Sequence, residues 1–165
     1  MPIAGIDQPA ILPVGEGLRL RKYDGVHDFA LAWYQDEELV YLVDGVRRAY
    51  DAETLCRMYT YLNNHGELYW IEVEENGAWR PIGDVTFWQE DMPIVIGEPA
   101  CRGKGIGRKV VSALIQRGRD LGYDRLYVDQ IYHYNAASRK CFQAAGFVPY
   151  QDTEKGTSFV LDLKA

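Results

Sequence analysis

The chain has no apolar run that approaches the length of a membrane span. Its first residues carry Asp7 and the prolines Pro2, Pro9 and Pro13, and lack the basic start and apolar core of a secretory leader. Cysteine is scarce. Cys56, Cys101 and Cys141 are odd in number and widely spaced, which excludes a disulfide framework and fits free thiols in a reducing compartment. Histidine is as rare, and His27, His65 and His133 are too scattered to suggest a metal site. No repeat, low-complexity tract or linker interrupts the chain. Positive charge is in deficit: 18 Lys and Arg stand against 24 Asp and Glu, a net charge of −6, which argues against a general nucleic-acid binder and suits a cationic partner. These absences predict a cytoplasmic protein, monomer or homodimer, with no membrane, nucleic-acid or metal partner.

What is present is the composition of a packed globule, with 47% hydrophobic residues, twelve Tyr and four Trp. A length of 165 residues accommodates one domain with a sizeable core. Residues 1–165 are read as that single domain. Residues 1–17, rich in glycine and proline and without periodicity, are read as an N-terminal arm.

The most informative stretch is Arg102-Gly103-Lys104-Gly105-Ile106-Gly107-Arg108-Lys109. Its three glycines let the backbone approach a ligand closely and turn N–H groups inward. Val110, Val111, Leu114, Ile115 and Leu121 follow at spacings that share one helix face, so the loop sits at a helix N-terminus. Free N–H groups and the positive end of the helix dipole favour an anion there, and four cationic side chains surround it. A diphosphate fits the length of the loop. The triphosphate-binding pattern G-x-x-x-x-G-K-S/T is absent. The dinucleotide pattern G-x-G-x-x-G fails because Val110 stands at its third glycine.

In chain order, Leu18–Tyr23 alternates as a strand, and Val26, Phe29, Ala30, Trp33 and Tyr34 follow at helical spacing with Asp24 as a candidate N-cap. Gln35–Glu38 reads as an acidic break and Tyr41–Tyr50 as an aromatic, acidic link. Asp51 caps a second helix with Leu55, Met58, Tyr59 and Leu62 on its buried stripe, ending at Gly66 in the left-handed conformation. Tyr69–Glu74 and Arg80–Trp88 form a hairpin through Asn76-Gly77, with Gly83 marking a bulge or close approach. Ile94–Ile96 is a short apolar strand before the glycine loop. After the long helix and Gly122, Arg125–Asp129 is expected as a central strand parallel to its predecessor. Asn135 opens a further helix, and Phe147–Tyr150 and Ser158–Leu163 close the chain as strands.

This order, from residue 18 to the end, resembles the GNAT acyltransferase fold. The segment Arg102-Gly103-Lys104-Gly105-Ile106-Gly107 matches the Q/R-x-x-G-x-G/A pyrophosphate loop of GNAT N-acetyltransferases at every defined position. Asn135-Ala136-Ala137-Ser138 followed by Gly146-Phe147 resembles the N-x-x-S/A…G-F segment of the same superfamily. Trp33-Tyr34-Gln35-Asp36-Glu37-Glu38 resembles the W-x-x-D-x-E region of two branches, the ribosomal-protein N-terminal acetyltransferases and the aminoglycoside 6′-N-acetyltransferases. The resemblance implies an α/β (α+β) fold, with a mixed central sheet of about six or seven strands and helices on both faces.

It also implies acetyl-CoA as cofactor and direct transfer of acetyl to a primary amine through a tetrahedral intermediate. Gly103, Lys104, Gly105, Ile106 and Gly107 would cradle the pyrophosphate, with Arg102 and Arg108 nearby. Val95, Ile96 and Gly97 would meet the pantetheine arm through their backbone, one amide stabilising the oxyanion. Asn135 and Ser138 would contact the cofactor, although Asn135 could be only an N-cap and Ser138 only a small packing residue.

Proton transfer needs a base for the amine. Asp129, Asp91 and Glu98 are the foremost candidates, with Asp84 and Glu90 beside them. Many superfamily members carry a tyrosine acid seven residues after the asparagine. Here that position is Phe142, with Ser138, Cys141, Tyr132 and Tyr134 as the nearest substitutes. A CoA-binding module without catalysis is therefore the alternative to an enzyme. The carboxylates Asp36, Glu37, Glu38, Asp44 and Asp51, with Tyr41 and Tyr50 between them, predict an acceptor cleft for a cationic small molecule or a peptide N-terminus.

Overall fold

Alternation of inward and outward side chains carries the first half of the chain into a five-stranded antiparallel sheet. The computed structural model describes residues 2–164. Strands β1 (Ile11–Gly15), β2 (Leu18–Lys22), β3 (Glu67–Glu75), β4 (Ala78–Phe87) and β5 (Ile94–Ile96) lie side by side in sequence order. Asn76 and Gly77 turn the chain between β3 and β4 with φ of 53° and 76°, the double left-handed conformation that a two-residue hairpin needs. Tyr69 and Ile71 of β3 enter one hydrophobic core, while Leu68 and Trp70 enter another, so this sheet is covered on both faces. Helices α4 (Ile106–Asp120) and α5 (Ala136–Ala144) fill the first core with Val110, Val111, Leu114 and Phe142. Helices α1 (Leu31–Tyr34), α2 (Glu37–Asp44) and α3 (Ala52–His65) fill the second with Trp33, Tyr34, Val40, Leu55 and Tyr59.

Several local expectations change. The N-terminal arm contains β1, paired antiparallel with β2 and with Leu12 and Val14 packed on the core. Pro13 is tolerated because β1 is an edge strand. The first helix is shorter than its periodicity suggests, a 3-10 turn at Asp28–Ala30 followed by α1. Asp24 does not cap it. Its carboxylate instead accepts from the Val26 N–H at 3.0 Å and pairs with Arg21 at 2.9 Å. The presumed acidic break and link hold α2, capped by Asp36 at the N–H groups of Glu38 and Leu39. Only Leu39 and Val40 are buried along α2, too few to announce a helical period. Asp51 does cap α3, accepting from Thr54 N–H at 2.7 Å. Gly66 is extended, φ −153°, rather than left-handed. A side chain there would run into Trp88 and the Phe87 carbonyl, so close approach is what demands glycine.

The strand expected at the centre is not central. β6 (Arg125–Tyr132) pairs with β8 (Gly156–Asp162), which pairs with β7 (Val148–Asp152), giving a second sheet of order β6-β8-β7 with antiparallel neighbours. β6 is hydrogen-bonded near its start to the turn that follows β4. Tyr127 N–H donates to the Gln89 carbonyl at 2.9 Å, and Asp129 N–H donates to Asp91 Oδ1 at 3.1 Å. Both contacts are made to the tight turn between β4 and β5, whose ends, Trp88 and Asp91, bridge each other. Beyond Asp129 no ladder joins β5 to β6 among the described residues, and the two sheets part.

Phe142 anchors α5 in the first core. It is 1% exposed on α5 and meets Phe147 edge-on at 5.4 Å. Truncation by Phe142→Ala is expected to lower stability by about 3–5 kcal/mol, the usual cost of emptying a buried aromatic site. Denaturant unfolding measures it, and an unchanged midpoint would remove Phe142 from the core.

Candidate active site

The edge of β5 facing the split is set by its ladder with β4. Hydrogen-bonded pairs alternate along an antiparallel ladder. Thr86 N–H donates to the Pro93 carbonyl at 3.0 Å and Gly97 N–H to the Ile82 carbonyl at 2.8 Å. Val95, opposite Asp84, takes the hydrogen-bonded position between them. Ile94 and Ile96 therefore direct their N–H and C=O groups into the split. The Ile96 carbonyl is there, accepting from Arg102 Nε at 2.9 Å, while Arg102 Nη2 reaches the Gly97 carbonyl at 3.2 Å. Of the three residues expected to present backbone groups, Ile96 alone turns both toward the split, and the N–H of Gly97 is bound to β4. Gly97 is glycine because Trp33 lies directly on its Cα.

The chain then makes one 3-10 turn, Pro99–Cys101, and enters the glycine loop. Gly103 and Gly105 are left-handed, φ 73° and 80°, and a Cβ at either would meet nothing within 4 Å. The loop is thus open on its outer side. Gly105 is the N-cap of α4 and no side chain caps that helix, whereas Asp36, Asp51 and Asn135 cap α2, α3 and α5. The first N–H groups of α4 are left as unpaired donors, and exposed Arg102, Lys104 and Arg108 surround them. A diphosphate fits this cradle. Asn135 caps α5 through Ser138 N–H at 3.3 Å, and its Nδ2 donates to the Leu42 carbonyl at 3.3 Å, so it also ties α5 to α2.

The proposed bases differ sharply in what already holds them. Glu98 accepts from the Trp33 indole at 2.9 Å and has Arg80 at 3.8 Å. Asp91 Oδ1 accepts the N–H groups of Met92 and Asp129 and pins β6 to the first sheet; burial raises its pKa. Asp84 is 2% exposed and accepts from the Tyr34 and Tyr59 hydroxyls at 2.8 and 2.9 Å. Burial pushes its pKa up to about 6 against those two donors, and it ties α1 and α3 to β4 rather than facing solvent. Asp129 is exposed and its carboxylate has no ion-pair partner among the described residues. Of the proposed acids, Tyr134 donates to the Tyr41 carbonyl at 2.7 Å, and Tyr132 stacks on it with its hydroxyl beside Gly45.

A groove of about 500 Å³ opens where β6 leaves the turn before β5. Trp88, Glu90, Asp91, Tyr127, Asp129 and Tyr150 line it, with the end of α3 forming one wall. The aromatic members were not evident as site residues, although Tyr127 and Asp129 share the outward face of a strand whose Leu126 and Val128 point inward. In the acidic segment expected to line the acceptor cleft, four of the five carboxylates have partners within the chain. Asp36 and Asp51 are helix caps, Glu38 pairs with Arg47 at 2.8 Å, and Asp44 accepts from Tyr50 at 3.0 Å.

No three His, Cys, Asp or Glu among the described residues are placed to hold a metal, and no helix among them is long and apolar enough to cross a membrane. The sequence profile of the Acetyltransferase (GNAT) family matches residues 28–147. No curated protein matches the sequence. Among solved structures, a domain from Methanocaldococcus jannaschii superposes with a TM-score of 0.77 at 21% identity, covering 90% of this chain and 99% of the other. A putative acetyltransferase from Salmonella typhimurium, solved with its cofactor acetyl-CoA, gives 0.61 at 22% identity over 88% and 94% of the two chains. The Salmonella typhimurium acetyltransferase that modifies the N-terminal serine of ribosomal protein L7/L12 gives 0.69 at 16% over 92% and 98%.

Proposed function

The chain belongs to the GNAT acetyltransferase family, and on that footing we propose that it transfers acetyl from acetyl-CoA to the primary amine of a polar, positively charged small molecule or a peptide N-terminus. The observation that carries this reading is the parting of β5 from β6 beside an uncapped, glycine-lined helix N-terminus. Acetyl-CoA, when bound, supplies the acyl group as an activated thioester. The amides of Gly103 to Gly107 hold its diphosphate, with Arg102, Lys104 and Arg108 balancing the charge. The Ile96 peptide group in the split orients the arm that carries the acyl group, as Ile94 does one pleat earlier, and Val95 backs the strand from the α3 side. Asn135 and Ser138, at the start of α5, border the same split.

An ammonium group must lose its proton before it can attack. Asp129 accepts it, directly or through water, because its carboxylate is the one of the proposed three that is both accessible and unpaired. Asp91 fixes the strand that carries Asp129. Positioning of the two reactants supplies much of the remaining acceleration.

The acceptor is cationic because the groove beside Asp129 holds carboxylates and aromatic rings and no Lys or Arg. A screen of primary amines with acetyl-CoA, reading released thiol, tests this. Turnover is expected for polar cationic amines, with an acceptor KM that rises as salt is added, since exposed charges are screened over about 10 Å at 0.1 M. A preference for neutral arylamines, with no salt response, would refute the acceptor class.

A further inference from the structure

We propose that the acceptor carries a second ammonium group, one that stays charged and is held between Trp88 and Glu90 while the reacting amine faces Asp129. This rests on the acetyl-transfer reading above and specifies its substrate. Glu90, Asp91 and Asp129 share the groove with the rings of Trp88, Tyr127 and Tyr150. Carboxylates beside ring faces suit an organic cation. The rings are held in place before any ligand arrives. Trp88 is seated over Gly66, where any side chain would displace it. Tyr127 and Tyr150 meet edge-on at 5.7 Å with an interplanar angle of 69°. On the α3 wall, His65 stacks on Tyr61 at 3.9 Å and its Nδ1 bonds the Tyr61 carbonyl at 2.8 Å.

The reacting amine gives up its proton to Asp129 before it attacks, so during the transfer it no longer answers the field of the remaining carboxylates. Glu90 is exposed and without an ion-pair partner among the described residues. A second, fixed positive charge on the acceptor is what the remaining carboxylate and ring faces would bind. A monoamine would leave that end of the groove filled only with water.

The test compares 1,4-diaminobutane with n-butylamine, first as ligands without cofactor and then as acceptors. Titration of the isotopically labelled protein by NMR is expected to shift the Trp88 indole and the Glu90 amide with the diamine, and to shift them far less with the monoamine. With acetyl-CoA, the diamine should be the better acceptor. The pair Glu90→Gln with Trp88→Leu should raise the diamine Kd and KM about tenfold and leave the KM for acetyl-CoA unchanged. With Glu90→Gln kept, Trp88→Phe in place of Trp88→Leu should recover the part of the loss that belongs to the ring, which separates a ring-face contact from the carboxylate. No diamine shifts in the groove, or equal effects of the double variant on diamine and monoamine, would overturn the proposal. Diamine shifts in the groove without any acetyl transfer would instead refute the enzymatic reading and keep the ligand class.

Discussion

Gly105→Asp is expected to abolish acetyl-CoA binding in a protein that still folds. Gly105 has φ 80° and open space where a Cβ would stand, so the cost is that of placing a non-glycine residue in the left-handed region, roughly 1–2 kcal/mol. A carboxylate at the N-terminus of α4 recovers part of it, about 0.3–1 kcal/mol, by meeting the positive end of the helix dipole. The same carboxylate competes with the diphosphate for the donors of the loop and repels it. Two like charges about 4 Å apart at an effective dielectric of about 20 repel by about 4 kcal/mol, close to a thousandfold in Kd. Gly105→Asn has nearly the same shape without the charge and should weaken binding far less. Calorimetry on the three proteins decides the matter. Parent-like affinity for the aspartate variant would place the cofactor elsewhere.

That loop was legible in the sequence because its signal is local: glycine spacing, cationic neighbours and the start of an amphipathic helix all fall within a few residues. Asp51 as a cap, Asn76-Gly77 as a turn and Ile94–Ile96 as a strand were legible for the same reason. The parting of the sheets was not. That β6 pairs with β8 is decided by long-range partners such as Leu126 with Leu161 and Val128 with Phe159, and no spacing rule encodes them. The internal partners of the acidic segment were hidden by the same gap. Of the five carboxylates between Asp36 and Asp51 expected to face an acceptor, two cap helices and two more are bound by Arg47 and Tyr50. The groove residues Trp88, Tyr127 and Tyr150 come from three separate strands or their ends, so they line one groove only after the fold is complete.

Asp129→Asn should lower kcat by about 10²–10⁴, the usual contribution of a positioned base, and leave the Kd for acetyl-CoA unaltered. The fold should survive, because the bond that ties residue 129 to Asp91 uses its backbone N–H and its side chain is exposed. Asparagine has the size of aspartate but takes no proton, so the loss would report chemistry and not shape. Asp91 and Glu98 are poor alternatives on geometry. One Asp91 oxygen is engaged by two backbone N–H groups, and the Glu98 carboxylate lies between the Trp33 indole and Arg80. Removing either would disturb the strand junction or the β5 terminus and would therefore register in thermal unfolding as well as in rate. Asp129→Glu keeps the carboxylate and should retain part of the activity. Rate measurements with a saturating acceptor, paired with melting curves, separate the cases. A kcat within about threefold of the parent would show that the amine loses its proton elsewhere, with Glu90 in the same groove the next carboxylate to examine.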